Sequence, residues 1–461
     1  MSIYGALRSG VSGLFVQSQS MAMLSDNIAN VNTIGYKSSR PRFSTLVTSQ
    51  SSPTLYSSGG VKSTIGREID AQGLLQASPF STDIAVSGKG FFVVSDSVTT
   101  NATGNVIPNG DVLFTRAGEF RTDKDGNLVN SQGFYLTGWP YDQTLQQFTT
   151  TNVLSSFSGI NVAGLTSNPV PTSSVDLGAN LQASAAATTT YDIAVQIFDR
   201  QGGSHTMTLT FTKTATANEW TLDATVSGTG SGFEDPDAND DGVTGDTQFQ
   251  AGSTARRIGT VTFNADGTLA SLASTTAAPN AAVASVNASN EFAFTLDYDG
   301  SIATTTDQVA MTLDLGTLNQ ADGLTQFEGA FTPNFINQNG KQFGSLTGVT
   351  VNESGEVTAL FDNGETRLIY QVPLVTFNNP NGLEPKSGNV WIETDFSGSP
   401  VALAPNTGGA GLISPGSLEA STVDLADELT NMIVTQRAYS ASTRIITTAD
   451  EMLEELIRVK R

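Results

Sequence analysis

Both ends of the chain carry apolar repeats of helical spacing, whereas the long region between them does not. The apolar side chains recur at alternating steps of three and four residues, which is typical of helices that pack along other helices. Near the start these positions include Ile3, Leu7, Leu14, Met21, Leu24 and Ile28. Near the end they include Leu429, Met432, Tyr439, Ile446, Leu453 and Ile457. We therefore predict paired, coiled-coil-like terminal helices, with these residues as a candidate polymerisation interface.

The C-terminal repeat is accompanied by a second apolar stripe on the same helix. Its members are Ile445, Ala449, Met452, Leu456 and Val459. A helix with two apolar stripes needs more than one neighbour, as in a bundle or tube of subunits. The ordinary alternative is a helix buried in the core of its own chain. Self-association is favoured because polar segments separate each helix from the body of the chain.

The middle of the chain has the pattern of short strands separated by turns. Asp-Gly pairs at 125–126 and 266–267 lie between alternating apolar runs and predict β-hairpins. The predicted fold class is mainly β with terminal α-helices, in which one β domain is inserted into another. The predicted segments are helices in 1–33 and 418–461, an extended connector at 34–70, a middle β domain from 71–145 and 335–417 that includes a trailing linker, and an inserted β sandwich or barrel-like domain at 146–334.

Charge is distributed unevenly along the 461 residues. The net charge is −22, yet residues 1–70 hold six basic and three acidic side chains, so the negative charge falls mainly on the body. An acidic body repels nucleic acid and anionic membrane surfaces, and we expect neither as a partner. The sequence also lacks an apolar run long enough for a membrane span and the features of a cleavable signal peptide.

Catalytic patterns are weak, and one candidate metal loop is present. His205 is the only histidine and cysteine is absent, so nothing points to an enzyme. Asp237, Asn239 and Asp241 occupy the first, third and fifth positions of a calcium-type loop, and Gly242 occupies the sixth. Gln248 stands where a bidentate glutamate is expected, so an acidic surface loop is the alternative. Calcium is thus the one cofactor candidate.

Five segments resemble the flagellar rod and hook family. They are residues 25–40 (SDNIANVNTIGYKSSR), 83–94 (DIAVSGKGFFVV), 114–140, 388–400 (GNVWIETDFSGSP) and the C-terminal stretch 417–461. They occur in the family's order and cover about half of the chain. Rod members are shorter, and DRQGGSHTMTLTFTK at 199–213 is similar to the outer domain of the hook members.

The resemblance implies a structural subunit of the bacterial flagellar hook, which polymerises into a flexible curved tube that transmits torque from rod to filament. It implies that the terminal helices line the inner core, with the first β block around them and the insertion outside. The implied partners are further copies of the chain, the distal rod, the hook cap, the hook-length control protein and the hook–filament junction proteins. The implied location is the extracellular hook, reached through type III export without signal cleavage.

The sequence alone leaves three alternative interpretations of function. Another flagellar axial protein, from the distal rod or the hook–filament junction, would share the terminal motifs. A secreted β-rich adhesin would fold as a monomer with dispensable ends. A secreted hydrolase would need a pair of carboxylates in a cleft, which the sequence does not indicate.

Overall fold

The structure, a computed structural model, describes residues 3–46, 59–101, 106–149, 156–227, 232–233, 256–274, 284–298 and 308–459. The chain forms two compact units. The first consists of Met1–Leu165, Thr347–Leu360 and Thr366–Arg461, and the second of Thr166–Leu346 and Phe361–Glu365. The predicted mainly β fold with two terminal helices is confirmed.

The two long helices lie at the ends of the first unit. Helix α1 spans Ile3–Ala29 and helix α2 spans Leu425–Val459. Asp424 caps α2, because its carboxylate accepts hydrogen bonds from the backbone N–H groups of Ala426 (2.8 Å) and Asp427 (3.3 Å).

Mostly short strands follow α1 in the described residues before 200. They are β1 Ser39–Thr45, β2 Val61–Arg67, β3 Leu75–Ala77, β4 Ile84–Ser87, β5 Phe92–Ser95, β6 Val98–Thr100, β7 Val106–Pro108, β8 Val112–Thr115, β9 Phe120–Thr122, β10 Leu128–Asn130, β11 Tyr135–Asp142, β12 Gln147–Phe148, β13 Ser158–Gly159, β14 Thr166–Ser167, β15 Ser174–Asn180 and β16 Thr190–Phe198.

The strands continue up to the second helix. They are β17 Ser204–Lys213, β18 Glu219–Val226, β19 Gly232–Phe233, β20 Arg256–Phe263, β21 Leu269–Ala273, β22 Ser285–Val286, β23 Phe292–Asp297, β24 Val309–Asp314, β25 Thr332–Gln338, β26 Gly344–Val351, β27 Glu356–Phe361, β28 Thr366–Gln371, β29 Leu374–Thr376, β30 Glu384–Lys386, β31 Val390–Ile392, β32 Val401–Leu403, β33 Leu412–Pro415 and β34 Ser417–Glu419.

The first unit is assembled from chain segments on both sides of the insertion. Its main sheet contains the order β27-β28-β11-β5-β8-β31-β30, so three early strands lie between two pairs of late strands. Strand β3 also pairs with β34, and β4 pairs with β33, both antiparallel. The nested arrangement read from the sequence is therefore built into the hydrogen bonding of the sheet.

An aromatic core holds this sheet together. Phe91, Phe114, Trp139 and Trp391 are all buried in one cluster with aliphatic neighbours. The Phe91 and Trp391 rings meet edge to face, with centroids 5.7 Å apart. Because Phe91 and Trp391 lie 300 residues apart in sequence, this core fixes the return of the chain after the insertion.

The second unit contains two sheets that share one hydrophobic core. One sheet is the antiparallel meander β16-β17-β18-β20-β21, and the other has the order β19-β23-β24-β15-β25. Strict alternation along β17 places Met207, Leu209 and Phe211 inside the unit, where they pack with Trp220 from the neighbouring strand. Two open sheets around one core form a sandwich, the first of the two arrangements predicted.

The predicted hairpin turns depend on glycine at the left-handed position. Gly126 has a φ of 82° and Gly267 a φ of 84°, values that other residues adopt only with strain. An aspartate further fixes each turn. Asp123 accepts hydrogen bonds from the N–H groups of Asp125 (2.9 Å) and Asn127 (2.8 Å), and Asp266 accepts one from the N–H group of Thr268 (3.0 Å).

Several predicted segments contain more structure than the sequence suggested. The connector at 34–70 includes the antiparallel pair β1–β2, and the trailing linker includes β33. Within the predicted insertion, residues up to Leu165 belong to the first unit, since β13 pairs with β11. Among the described residues, no helix is both long and apolar enough to cross a membrane.

The core of the second unit supplies a direct test of the sandwich. Replacing the fully buried Phe211 with alanine should lower the free energy of unfolding by about 3–5 kcal/mol, because it removes a large ring and leaves a cavity. Thr208→Ala on the partly exposed face of the same strand should change it by less than about 0.5 kcal/mol. Urea unfolding of the full chain gives both values, and equal losses would contradict this packing.

Candidate assembly interface

Helices α1 and α2 pack against each other in antiparallel register. Three contacts recur at steps of seven residues, rising along α1 and falling along α2. They pair Gly13 with Ser442, Ser20 with Thr435, and Asn27 with Glu428. A regular step of seven on both helices is the signature of a coiled-coil seam.

Small side chains at one end of the seam let the helices approach closely. A Cβ atom built on Gly13 would lie 3.0 Å from Ser442 Oγ, and one on Gly10 would lie 3.1 Å from Ile446 Cγ1. Both distances are shorter than usual contacts, so a side chain at either glycine requires Ser442 or Ile446 to shift, and a large one crowds the seam. Each glycine destabilises α1, taken as an isolated helix, by about 1 kcal/mol relative to alanine. Helix α1 therefore needs contact with α2 in order to form.

At the other end of the seam, Asn27 is fully buried and uses both ends of its amide. Its Nδ2 donates to Ser39 O (2.9 Å) and to Glu428 Oε1 (3.2 Å). Its Oδ1 accepts from Ser39 N (3.0 Å) and from the Tyr36 hydroxyl (3.2 Å). One side chain thereby fixes α2, the end of α1 and the first strand to one another.

The buried environment of Glu428 disfavours the charged form of its carboxyl group. Its Oε2 is buried and has no hydrogen-bond partner among the described residues. Burial is the main cause of its raised pKa, which the hydrogen bond from Asn27 partly offsets. Burial also raises the pKa of Tyr36, and the nearby carboxyl groups of Asp26 and Glu428 add to that shift.

A second buried centre lies just before α2, at Glu419. The carboxylate of this fully buried residue accepts hydrogen bonds from Lys37 Nζ, from Arg116 Nη1 (3.1 Å) and from the Gly73 backbone N–H (2.8 Å). Its backbone carbonyl accepts a further bond from Gly35 N (2.7 Å). Residues 35–37, 73 and 116 are thus all tied to the strand that leads into α2.

The Glu419 centre contains two buried cations and one carboxylate. Arg116 also donates to Gly88 O (2.9 Å) and lies over the Phe91 ring, with its guanidinium carbon 5.1 Å from the ring centroid. Burial lowers the pKa of both Lys37 and Arg116, and Glu419 opposes the shift in each case. The carboxylate is therefore the group that makes the burial of both cations tolerable.

The structure divides the sequence-predicted interface residues into two groups. Leu7, Leu14, Met21, Leu24 and Ile28 of α1, together with Met432, Ile446 and Leu453 of α2, are buried or half-buried in the single chain. Leu429, Tyr439 and Ile457 are 46%, 44% and 68% exposed. Nothing is described of the Ile3 side chain. The role of all these residues in assembly stays a prediction.

The contact line between the helices was missed by the sequence analysis. It contains Ser20, Asn27, Glu428, Thr435 and Ser442, so a search for apolar repeats passes over it. The line runs between the two apolar stripes of α2, each of which is left partly exposed. A search for small and polar residues that repeat at steps of seven would have identified this contact line.

The remaining sequence candidates show no catalytic geometry. The calcium-type loop with Asp237, Asn239 and Asp241 lies outside the described residues and stays a prediction. No group of three or more acidic or histidine side chains suited to a metal occurs within the ranges that the structure describes. His205 Nε2 lies 3.1 Å from Asp199 Oδ2 at the edge of β17, which is a strand-end ion pair when the ring is protonated.

Comparisons with known proteins agree along the whole chain. Four family models match in order: "Flagella basal body rod protein" at 7–37, "Flagellar hook protein FlgE/F/G D1 domain" at 85–167, "Flagellar basal body protein FlaE D2 domain" at 165–341, and "Flagellar basal body rod FlgEFG protein C-terminal" at 414–459. The flagellar hook protein FlgE of Caulobacter vibrioides is 32% identical over an alignment of 598 positions that covers all of both chains. The chain belongs to the flagellar hook protein family.

Two further members of the hook protein family support this assignment. The FlgE proteins of Brucella suis and Escherichia coli K12 are 32% and 29% identical, over 100% and 99% of this chain and 100% of each relative. The chain is a structural subunit of the flagellar hook and not an enzyme, as the sequence resemblance implied. These full-length matches exclude the interpretations of the chain as a rod protein, an adhesin or a hydrolase.

The Glu419 centre predicts unequal effects of two neutralising substitutions. Glu419→Gln leaves two buried cations without a counter-charge and should lower the free energy of unfolding by about 3–5 kcal/mol. Lys37→Met leaves the Arg116–Glu419 pair balanced and should cost only about 1–2 kcal/mol. Urea unfolding followed by tryptophan fluorescence distinguishes the two; a larger loss for Lys37→Met would contradict this charge balance.

Glu428 predicts a pH dependence of the helix pair. Because its folded pKa lies above the ordinary value of 4.5, its contribution is fully favourable below that pH and is lost as pH rises through the raised pKa. Hydrogen-exchange protection of α2, corrected for intrinsic rates, should fall from pH 5 to pH 7.5 in the parent chain and much less in Glu428→Gln. Glu454→Gln, an exposed site on the same helix, is the control and should follow the parent chain.

Proposed function

We propose that the paired helices α1 and α2 form the polymerisation core of this hook subunit. The support is the combination of a tight antiparallel seam with apolar side chains left exposed on both helices. On α1 these include Tyr4, Val11 and Phe15, and on α2 they include Leu429, Tyr439, Ile445, Met452 and Ile457. Exposed apolar faces of this extent on a soluble chain are typical of surfaces that associate.

In this proposal the seam and the exposed stripes have separate roles. The seam fixes the two helices of one chain as a unit, and the stripes contact neighbouring copies. The Glu419 centre then joins this helical unit to the β body of the first unit, so that force on the helices reaches the body through a buried ionic contact.

The finer partners and the export route belong to the same proposal. As a hook subunit the chain would contact the distal rod, the hook cap, the hook-length control protein and the hook–filament junction proteins, besides its own copies. It would be exported by the flagellar type III route with α1 uncleaved, because removing α1 would leave the small, polar contact line of α2 without a partner. The extracellular protein should therefore begin at the start of α1 by mass spectrometry.

The proposal is tested by removing the helices without damaging the body. A chain lacking 1–29 and 425–461 retains Gly35, Lys37 and Glu419, so the buried ionic centre stays intact. We expect it to remain folded by circular dichroism and to form no tubes by electron microscopy under conditions in which the full chain does. Tubes from the shortened chain would contradict the proposal.

A single substitution tests the seam itself. Gly13→Leu places a branched side chain where an added Cβ atom would lie 3.0 Å from Ser442 Oγ, and should destabilise the helix pair by about 1–3 kcal/mol. The critical concentration for polymerisation, measured by sedimentation, should rise about tenfold for each 1.4 kcal/mol lost. Gly348→Leu, at a strand position with no atom near the new Cβ, is the control and should polymerise normally.

A further inference from the structure

The pair asparagine–glycine occurs four times in the chain, at 109–110, 339–340, 363–364 and 381–382. In such a pair the backbone nitrogen of the glycine attacks the amide carbon of the asparagine side chain and closes a succinimide ring. Glycine favours this attack because it lacks a Cβ atom and adopts a wide range of backbone angles. Hydrogen bonds that hold the amide and the glycine N–H group oppose the attack, because they must open before the ring closes.

The pair at 339–340 is held at both reacting groups. Asn339 Oδ1 accepts a hydrogen bond from Ser173 N (2.9 Å), and Asn339 Nδ2 donates one to Ser173 Oγ (2.8 Å). The N–H group of Gly340 donates to Gln338 Oε1. The amide therefore cannot rotate toward the glycine nitrogen while these bonds persist.

The turn between β27 and β28 holds its asparagine–glycine pair in the same way. Asn363 Nδ2 donates to Ser167 Oγ (3.0 Å), and Asn363 Oδ1 accepts from Glu365 N (2.9 Å). The N–H group of Gly364 donates to Phe361 O (3.1 Å). Both reacting groups of this pair are thus engaged in the folded chain.

The pair at 381–382, just before β30, is also held. Asn381 Oδ1 accepts from Ile69 N (2.8 Å), which ties this side chain to a distant segment of the first unit. The N–H group of Gly382 donates to Asn379 O (3.0 Å). Three of the four pairs therefore need local opening before they react.

The pair at 109–110 differs from the others at both reacting groups. It lies between β7 and β8, and both of its residues are exposed. The Asn109 side chain and the Gly110 N–H group form no hydrogen bond with any residue that the structure describes. Only the backbone of Asn109 is fixed, since its N–H group donates to Ser97 O (3.1 Å). The side chain of Asn109 therefore reaches the Gly110 nitrogen without a bond to break first.

Two carboxylates near this link oppose the reaction only weakly. A Cβ atom built on Gly110 would lie 1.5 Å from Asp96 Oδ1, so the Asp96 carboxylate lies close to the Gly110 backbone. Asp111 comes next in the chain, and its Oδ2 lies 2.7 Å from Lys386 Nζ. These negative charges disfavour a deprotonated backbone nitrogen, but Asp96 and Asp111 are both exposed, so water and salt screen them.

We propose that Asn109 is a site of spontaneous deamidation in the folded chain. Hydroxide removes the proton of the Gly110 nitrogen, and this nitrogen then bonds to Asn109 Cγ. The bond from Cγ to Nδ2 breaks, and Nδ2 takes a proton from water and leaves as ammonia. Water then opens the succinimide at either carbonyl, which leaves aspartate or isoaspartate. Each product gains one carboxyl group, and water is the only co-reactant.

The two products change the chain in different ways. Aspartate adds a negative charge beside Asp111. Isoaspartate adds the same charge and also inserts one extra backbone atom between β7 and β8, each of which pairs with another strand. The inference goes beyond the proposed function and does not depend on it.

The relative rates at the four pairs test the proposal. The full chain is incubated at pH 8 in native buffer and, separately, in urea, and each pair is followed by peptide mapping with mass spectrometry. In native buffer, conversion at Asn109 should be about tenfold or more faster than at the other three pairs, because those need local opening. In urea the four rates should converge, since glycine follows each asparagine.

Two variants of the full chain separate this site from general ageing. Asn109→Gln would have to close a larger ring, so it should lose the acidic isoform that accumulates in the parent chain on isoelectric focusing. Asn334→Gln is the control, because it removes an exposed asparagine that is followed by Phe335. It should accumulate the isoform as the parent chain does. Thermal melts verify that both variants fold.

The products at position 109 provide a further criterion. Ring closure yields both aspartate and isoaspartate, whereas direct hydrolysis of the amide yields aspartate alone. Detection of both by electron-transfer fragmentation supports the proposal. It is overturned by a native rate at Asn109 no faster than at the other pairs, by an acidic isoform that persists in Asn109→Gln, or by aspartate without isoaspartate. None of these measurements involves tube formation, so failure here leaves the proposed helical core in place.

Discussion

The buried carboxylate of Glu419 is the interaction on which the rest of the first unit depends. It accepts bonds from Lys37 and Arg116, which enter from two different parts of the N-terminal half, while its own strand pairs with β3. A buried pair of cations is unfavourable without a carboxylate between them. The position of Glu419 therefore couples three distant segments, and it does so immediately before the strand leads into α2.

The helix pair depends on a different set of contacts. Small and polar side chains along its seam set the register of the two helices, and buried apolar residues such as Val16, Leu24 and Ala449 add to its stability. Other apolar side chains, including Phe15, Tyr439 and Ile445, stay exposed and remain available to neighbours. A subunit that kept its apolar residues for the seam would be a more stable monomer and a poorer building block.

The sequence predicted the fold class, the nested order and the hairpin turns because each depends on local patterns. Alternation along β17 and glycine at positions 126 and 267 are visible without knowledge of the fold. The contact line of α1 and α2 was not visible, because Ser20, Asn27 and Thr435 look like solvent-facing residues in a helical repeat. The Glu419 centre was hidden for the related reason that its partners are brought together only by the return of the chain through β31 and β34.

The pairing of the first helix with the last also determines when the helix pair can form during synthesis of the chain. Helix α1 is synthesised first, and its partner is the last segment to appear, about four hundred residues later. Closing a loop of that length is slow compared with the formation of local hairpins, and the glycines of α1 weaken it as a solitary helix. Until the last turn of α2 has been synthesised, the new chain therefore has β domains that can fold but no complete helix pair. The order of the segments in the sequence thus limits premature association in the cell.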